Sequence, residues 1–351
     1  MITAEQQIEF LTRFQRLLNE GSFVSTYKYA LLMALTDLSV EMGKENDESV
    51  EIKTSQIAEK FIEYYWQQSA PYFSSDSAVL RQNTGRQAGI VNVLHQARQK
   101  FDGNLITVKK SDKAWKLLAS KVRRFVEVMP LWKLQTVGGE RMDFLYENIG
   151  KGNLIRLKPG VSYCLRKHYP LIADLVKGAW SRYVRRFNAD LLGTGQDINE
   201  FLFGCERSYL LAVAPVLREF QHGECFYCQR GLKDESAHID HFIPWSRYPV
   251  DLGSNLVLAH ATCNERKSDR MPAVCHLDRW VDFVQENNAK LGEEFGRCGL
   301  PNNVQVGVRI ADWAYTQTFQ SNGLTWLRGN ELQKLPQNWR DSLAALNCAF
   351  S

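Results

Sequence analysis

Apolar residues recur along most of this chain at helical rather than strand spacing. Residues 2–20 set Ile8, Leu11, Phe14 and Leu18 on one face of a polar stretch, which predicts an amphipathic helix. "STYKYALLMALTDLSVEM" predicts a second, more buried helix capped by Ser25 or Thr26. After an acidic loop, "VEIKT" is a short strand candidate, and a third helix starts at Thr54 or Ser55. Residues 69–80, with Ser and Pro, form a linker, and residues 86–101 are helical again. In the next block Trp115, Leu118, Val122, Phe125 and Met129 fall at helical spacing until Pro130 ends the run. "MDFLYEN" and "NLIRLKPGVSYCL" predict two strands joined by a Gly-rich turn at 150–152. "YPLIADLVKGAWSRYVRRFN" predicts a helix with Pro170 in its first turn and Leu175, Ala179, Tyr183 and Phe187 as its apolar stripe. Trp115 and Trp180 are expected in the core. Residues 189–200 link to the next part, and two further helices, "LDRWVDFVQENNAKLGEEF" and "VGVRIADWAYTQTF", precede a mixed tail. The pattern predicts a mainly α (α+β) chain.

Length and charge refine this picture. A chain of 351 residues suggests two or three domains, and 44 % hydrophobic residues is ample for buried cores. No apolar run reaches the roughly 18 residues of a membrane span. "MITAEQQIEF" lacks the basic and apolar regions of a secretory signal, so a cytoplasmic location is expected. Net charge is +4, but it is unevenly placed: −3 over residues 1–103, +11 over 104–190 and −4 over 191–351. A basic block between acidic flanks suits a polyanion such as nucleic acid, or else a solvated helix face.

Cysteine and histidine cluster. There are eight cysteines: Cys164, Cys205, Cys225, Cys228, Cys263, Cys275, Cys298 and Cys348. A reducing compartment argues against disulfides, so most read as small buried hydrophobes. Five of the seven histidines, His222, His238, His241, His260 and His276, fall between residues 222 and 276. Cys225-x2-Cys228 and His260-x2-Cys263 are two tight pairs. A two-residue gap lets one turn aim both ligands at one ion, and four such ligands satisfy tetrahedral structural Zn²⁺. The alternative is two free thiols beside an unrelated pair.

Between the pairs lies "HIDHFIP", then a loop, then "NLVLA", then a helix beginning near "CNERKSD". This β-β-α order, with Asp240-His241, Asn255-Leu256 and Cys263-Asn264-Glu265-Arg266-Lys267, resembles the HNH endonuclease family, the ββα-metal finger, over residues about 222–270. The common family pattern has cysteine where this chain has His260, an acceptable zinc ligand in its place. Histidine is the side chain best suited to act as general base near neutral pH, and His241 fits that role. The resemblance implies that Asp240 and Asn264 hold one catalytic Mg²⁺ (or Mn²⁺), and that Asn255 pins the intervening loop through backbone hydrogen bonds. Lys267, Arg266 and Arg247 are either phosphate contacts or solvated charges. His238 shares a strand face with Asp240 and either flanks the metal or makes a structural hydrogen bond.

Four regions are expected: a helical, winged-helix-like module over 1–103; a basic α+β nucleic-acid-contacting region over 104–190; a zinc-stapled ββα domain over 200–280; and a helical C-terminal region over 281–351 packing on it. The expected function is metal-dependent hydrolysis of DNA phosphodiesters, one strand per site, with no membrane partner. A homodimer or a defence-system protein are the partners the resemblance suggests, in a setting of restriction or phage defence. Two rivals stand beside this reading: a zinc-stapled nucleic-acid binder that does not cut, and a toxin-like nuclease acting on RNA.

Overall fold

Thr3 opens helix α1 (Ala4–Glu20) with a reciprocal capping box: its Oγ1 accepts from the Gln6 amide and the Gln6 side chain accepts from the Thr3 amide. This computed structural model describes residues 2–72, 78–147, 153–192, 197–204, 208–233 and 237–349. The α1 face that is buried is Phe10, Phe14 and Leu17, whereas Ile8 is exposed. The large aromatics turn the helix inward at a slightly different angle from the expected stripe.

Helix α2 (Tyr27–Met42) is buried almost all round, as its run of apolar residues requires. Its C-terminal carbonyls are met by a buried arginine: Arg166 Nη1 donates to the carbonyls of Val40 (2.8 Å) and Ser39 (3.3 Å), and Nη2 pairs with Glu45 at 3.0 Å. Ser39 O also accepts from Gly43 N at 3.0 Å, so the guanidinium adds a second bond there, gives the Val40 carbonyl a donor and complements the helix dipole. Strand β1 (Glu51–Lys53) leads directly into α3 (Thr54–Gln68), followed by α4 (Gly89–Lys100), α5 (Leu105–Lys110), α6 (Asp112–Val128) and the short α7 (Pro130–Lys133). Strands β2 (Thr136–Val137) and β3 (Glu140–Arg141) form a minimal hairpin. Strands β4 (Tyr146–Glu147) and β5 (Leu154–Leu157) join β1 in an antiparallel sheet of order β1-β5-β4. Helices α8 (Val161–Lys167), α9 (Tyr169–Phe187) and α10 (Asn199–Phe203) complete this part.

Several expectations change here. The chain divides after residue 205, not at 103, into units Met1–Cys205 and Glu206–Ser351. The physical reason is that β1 finds its partner about a hundred residues later, Ile52 opposite Ile155, while α3 packs on α6. The run "VSYCL" is helical rather than strand, because Gly160 at φ +80° turns the chain into α8. Ser111 splits the basic helix by capping α6, whose buried line is Leu118, Val122 and Val126, with Met129 exposed. In α9 the buried line is Ile172, Val176, Trp180 and Val184, and Leu175 is exposed; the fully buried Trp180 indole sets that rotation. The expected turn at 150–152 and parts of both linkers, 73–77 and 193–196, lie outside the described residues.

The second unit begins with a 3₁₀ turn over Ser208–Val213 and α11 (Ala214–Phe220). Strands β6 (Ala237–His241) and β7 (Leu256–His260) pair antiparallel and run into α12 (Ala261–Lys267). Helix α13 (Val274–Cys298) runs unbroken across the expected boundary at 280, because its Trp280 stacks on Phe242 and donates Nε1–H to the Ser254 carbonyl at 2.7 Å. Helix α14 (Val304–Gln320), a hairpin of β8 (Leu324–Arg328) and β9 (Glu331–Lys334), and α15 (Asp341–Ala349) follow. The chain is mainly helical with small strand pairs. Among the described residues no helix is long and apolar enough to cross a membrane.

Candidate active site and zinc centre

The two cysteine and histidine pairs meet. A tight turn with His222 at φ +53° and Gly223 at φ +74° brings Cys225 and Cys228 against the end of β7. The ligand atoms of Cys225, Cys228, His260 and Cys263 all lie within 4.8 Å of one another. Ligands about 2.0–2.3 Å from one tetrahedral ion stand at such separations, so the donor set fits Zn²⁺. His260 Nδ1 is 3.3 Å from Cys228 Sγ, while its Nε2 lies 3.2 Å from the Gly231 carbonyl, which fixes the ring with Nδ1 toward the cysteines. Burial and the neighbouring Cys225 and Cys228 push the Cys263 thiol up to about 12. Four crowded ligands of this kind favour a cation between them.

Beside the cage, β6 delivers Asp240 and His241 in register with Val257 and Leu256 of β7. Asn255 fastens the turn out of β6: its Oδ1 accepts from Ile243 N (2.7 Å) and its Nδ2 donates to Ile243 O (3.1 Å). Its own carbonyl accepts from Phe242 N at 2.7 Å. Asp240 is buried and takes Tyr227 O–H on Oδ2 at 2.6 Å. Burial and the Asp240 charge hold the Tyr227 phenol well above its ordinary range, so it stays a donor. Lys267 Nζ lies 2.9 Å and 3.2 Å from the two Asp240 oxygens and donates to the His241 carbonyl at 2.9 Å. Burial pulls the Lys267 ammonium down from its usual value, with Asp240 opposing.

His241 Nε2 sits 2.7 Å from Asp251 Oδ1, in the loop between the strands, and its ring is 5.2 Å from that of Trp245. With Nε2 engaged, Nδ1 is the ring nitrogen left for other chemistry. Asn264 lies half-buried one turn into α12, which packs on both strands. Its amide oxygen and the Asp240 carboxylate are the hard donors a Mg²⁺ or Mn²⁺ ion prefers, and on donor chemistry they fit such an ion.

The structure thus gathers the four zinc candidates at one point and sets Asp240, His241 and Asn255 around the end of β6. Lys267, read as a phosphate contact or solvated charge, is instead fully buried under Asp240. A helix three residues past Asn264 turns that position inward, and an ammonium there is stable only against a carboxylate. His238, Arg247 and Arg266 are exposed. Tyr227, Asp251 and the brace Arg279, whose Nη1 donates to the carbonyls of Phe226 (2.8 Å) and Tyr227 (3.0 Å), were not singled out by sequence. The one usable signal was position: Tyr227 stands between two cysteines of the candidate cage, and Asp251 in the loop that Asn255 closes.

A β-hairpin running into a helix, a four-ligand cage at its base and an Asp-His pair at its mouth define a ββα-metal nuclease domain, and residues 225–273 match the HNH endonuclease family model. Residues 7–199 match a second family, a domain of unknown function (DUF8808). That match spans more than half of the chain, and the chain belongs to this family. Among curated proteins none matches it.

Proposed function

We propose that the chain is a metal-dependent endonuclease that hydrolyses DNA phosphodiesters, one strand per site. The observation that carries the reading is the buried Asp251–His241 contact of 2.7 Å beside Asp240. A carboxylate on Nε2 holds the imidazole in the tautomer that keeps the Nδ1 lone pair for a water. His241 takes the water's proton at Nδ1, and Asp251 stabilises the imidazolium that results. Asn255 keeps the backbone after β6 fixed, so that His241 and Asp240 stay side by side. Asp240 and Asn264 would hold a divalent Mg²⁺ or Mn²⁺, which supplies charge neutralisation at the leaving oxygen. Cys225, Cys228, His260 and Cys263 would hold Zn²⁺, which anchors the hairpin to α12. A double-strand break then takes two sites or two successive nicks.

Plasmid nicking in Mg²⁺ tests the reading. Wild type converts supercoiled plasmid to open circle, and His241→Ala does not. If both leave DNA and RNA intact, the enzyme reading fails and a non-cutting zinc-stapled binder replaces it. Cleavage of RNA alone moves the substrate to RNA.

A further inference from the structure

Helix α6 carries a surface that is left exposed by the described residues of the first unit. Its buried line of Leu118, Val122 and Val126 faces inward, and Phe125 lies so close to Gly89 that a Cβ there would stand 2.5 Å from the ring. The opposite side is exposed and holds Lys113, Leu117, Lys121, Arg124 and Val128. At 3.6 residues per turn these five share an arc of about 80° over a length of about 22 Å. Leu117 and Val128, 58 % and 69 % exposed, lie mid-arc, with Lys113 and Arg124 on one side and Lys121 on the other. Cations on the helix flanks have a carboxylate within 4 Å, Lys116 near Asp112 at 3.8 Å and Arg123 near Glu127 at 3.3 Å. Lys113, Lys121 and Arg124 have no ion-pair partner among the described residues.

We infer that this face of α6 docks in the major groove of a nucleic-acid duplex. The inference rests on the nuclease reading for its choice of polyanion. A ridge about 22 Å long is long enough to follow a stretch of groove whose walls carry a regular row of phosphates. The major groove, about 12 Å wide, admits a helix. Flanking cations reach the phosphate walls while the two apolar side chains meet base edges and thymine methyls on the floor. Free positive charge around exposed apolar residues matches a polyanion with an apolar groove floor, and an acidic protein helix is the rival occupant.

The test is equilibrium binding of a short DNA duplex by full-length His241→Ala protein, from about 50 to 200 mM salt. Replacing Lys113, Lys121 and Arg124 by Gln is expected to weaken binding by tenfold or more and to reduce the log–log salt slope by about 2 to 3. Swapping the same three charges (Lys113→Arg, Lys121→Arg, Arg124→Lys) keeps the slope. Leu117→Ser with Val128→Ser weakens binding and leaves the slope unchanged. An unchanged slope in the folded Gln variant, or no duplex binding by its parent, overturns the inference, as does capture of an acidic helical peptide in preference to duplex. Nicking by wild type is scored separately: docking without nicking sinks the nuclease reading alone, and nicking with an unaltered Gln variant sinks this one alone.

Discussion

Asp251 and His241 meet at 2.7 Å with both side chains about nine-tenths buried. They stand ten positions apart in sequence, and Asn255 returns the chain to Ile243 just beyond them. Asp251→Asn keeps the size and removes the carboxylate. The expected outcome is a fall in nicking rate of at least about tenfold, part of the roughly 10²- to 10⁴-fold contribution of the general base that Asp251 orients. The melting temperature should shift by no more than a few degrees. An equal loss of stability and rate would make Asp251 structural only.

Lys267 and Asp240 form a buried pair, and breaking one side leaves an uncompensated charge. Lys267→Met is expected to destabilise the second unit by about 3–5 kcal/mol, measured by urea unfolding. Adding Asp240→Asn should return much of that stability, since the orphaned charge is gone. Nicking should remain absent in the double variant. A double variant no more stable than Lys267→Met would refute the pairing as the cause.

Asn255→Ala leaves Ile243 N–H and C=O without their partners inside the protein. The cost should be about 2 kcal/mol or more, because buried unpaired backbone groups each lose their solvation. Asn255→Asp restores only the acceptor half and should fall between. Thermal melts of the three proteins check the order.

Zinc content checks the cage. One Zn²⁺ per chain is expected by elemental analysis of protein purified without chelator. Cys225→Ser or Cys263→Ser should lower it and abolish the cooperative melting of the second unit, while the first unit still melts. Full zinc occupancy in both variants would remove those residues from the ligand set.

Lys28 gives a pH prediction in the first unit. Burial, aided by Lys133, lowers its ammonium to about 8 from an ordinary value of 10.5. A base depressed by folding costs stability while both states are protonated, below about pH 8. Between about 8 and 10.5 the unfolded chain holds the extra proton, so stability rises with pH. Lys28→Met removes this dependence. The difference in melting temperature between variant and wild type should shrink from pH 7 to pH 10, and a constant difference would disprove it.

Much of the site was legible because its parts are short-range. Two-residue ligand gaps and the Asp240-His241 dipeptide state their geometry locally, and the strand after Asn255 declares itself by composition. Tyr227, Asp251 and the inward turn of Lys267 depend on which segments pack together, and no local pattern encodes that. The first unit shows the same division. Helices α2, α3 and α9 followed from periodicity, but the pairing of β1 with β5 and the burial of Arg166 under α2 are long-range. The α9 stripe held fully only at Tyr183, for a subtler reason: a spacing of four fits several neighbouring faces, and the largest side chain, Trp180, chose among them.

The turn from Cys225 to Cys228 carries two tasks. Its sulfurs belong to the cage proposed for zinc, and its tyrosine holds the carboxylate proposed for a hard divalent ion. Oxidation of either thiol would therefore be felt at Asp240 without any change to a catalytic residue. Loss of the proposed nicking activity under peroxide should track zinc release, so that scaffold and chemistry age together.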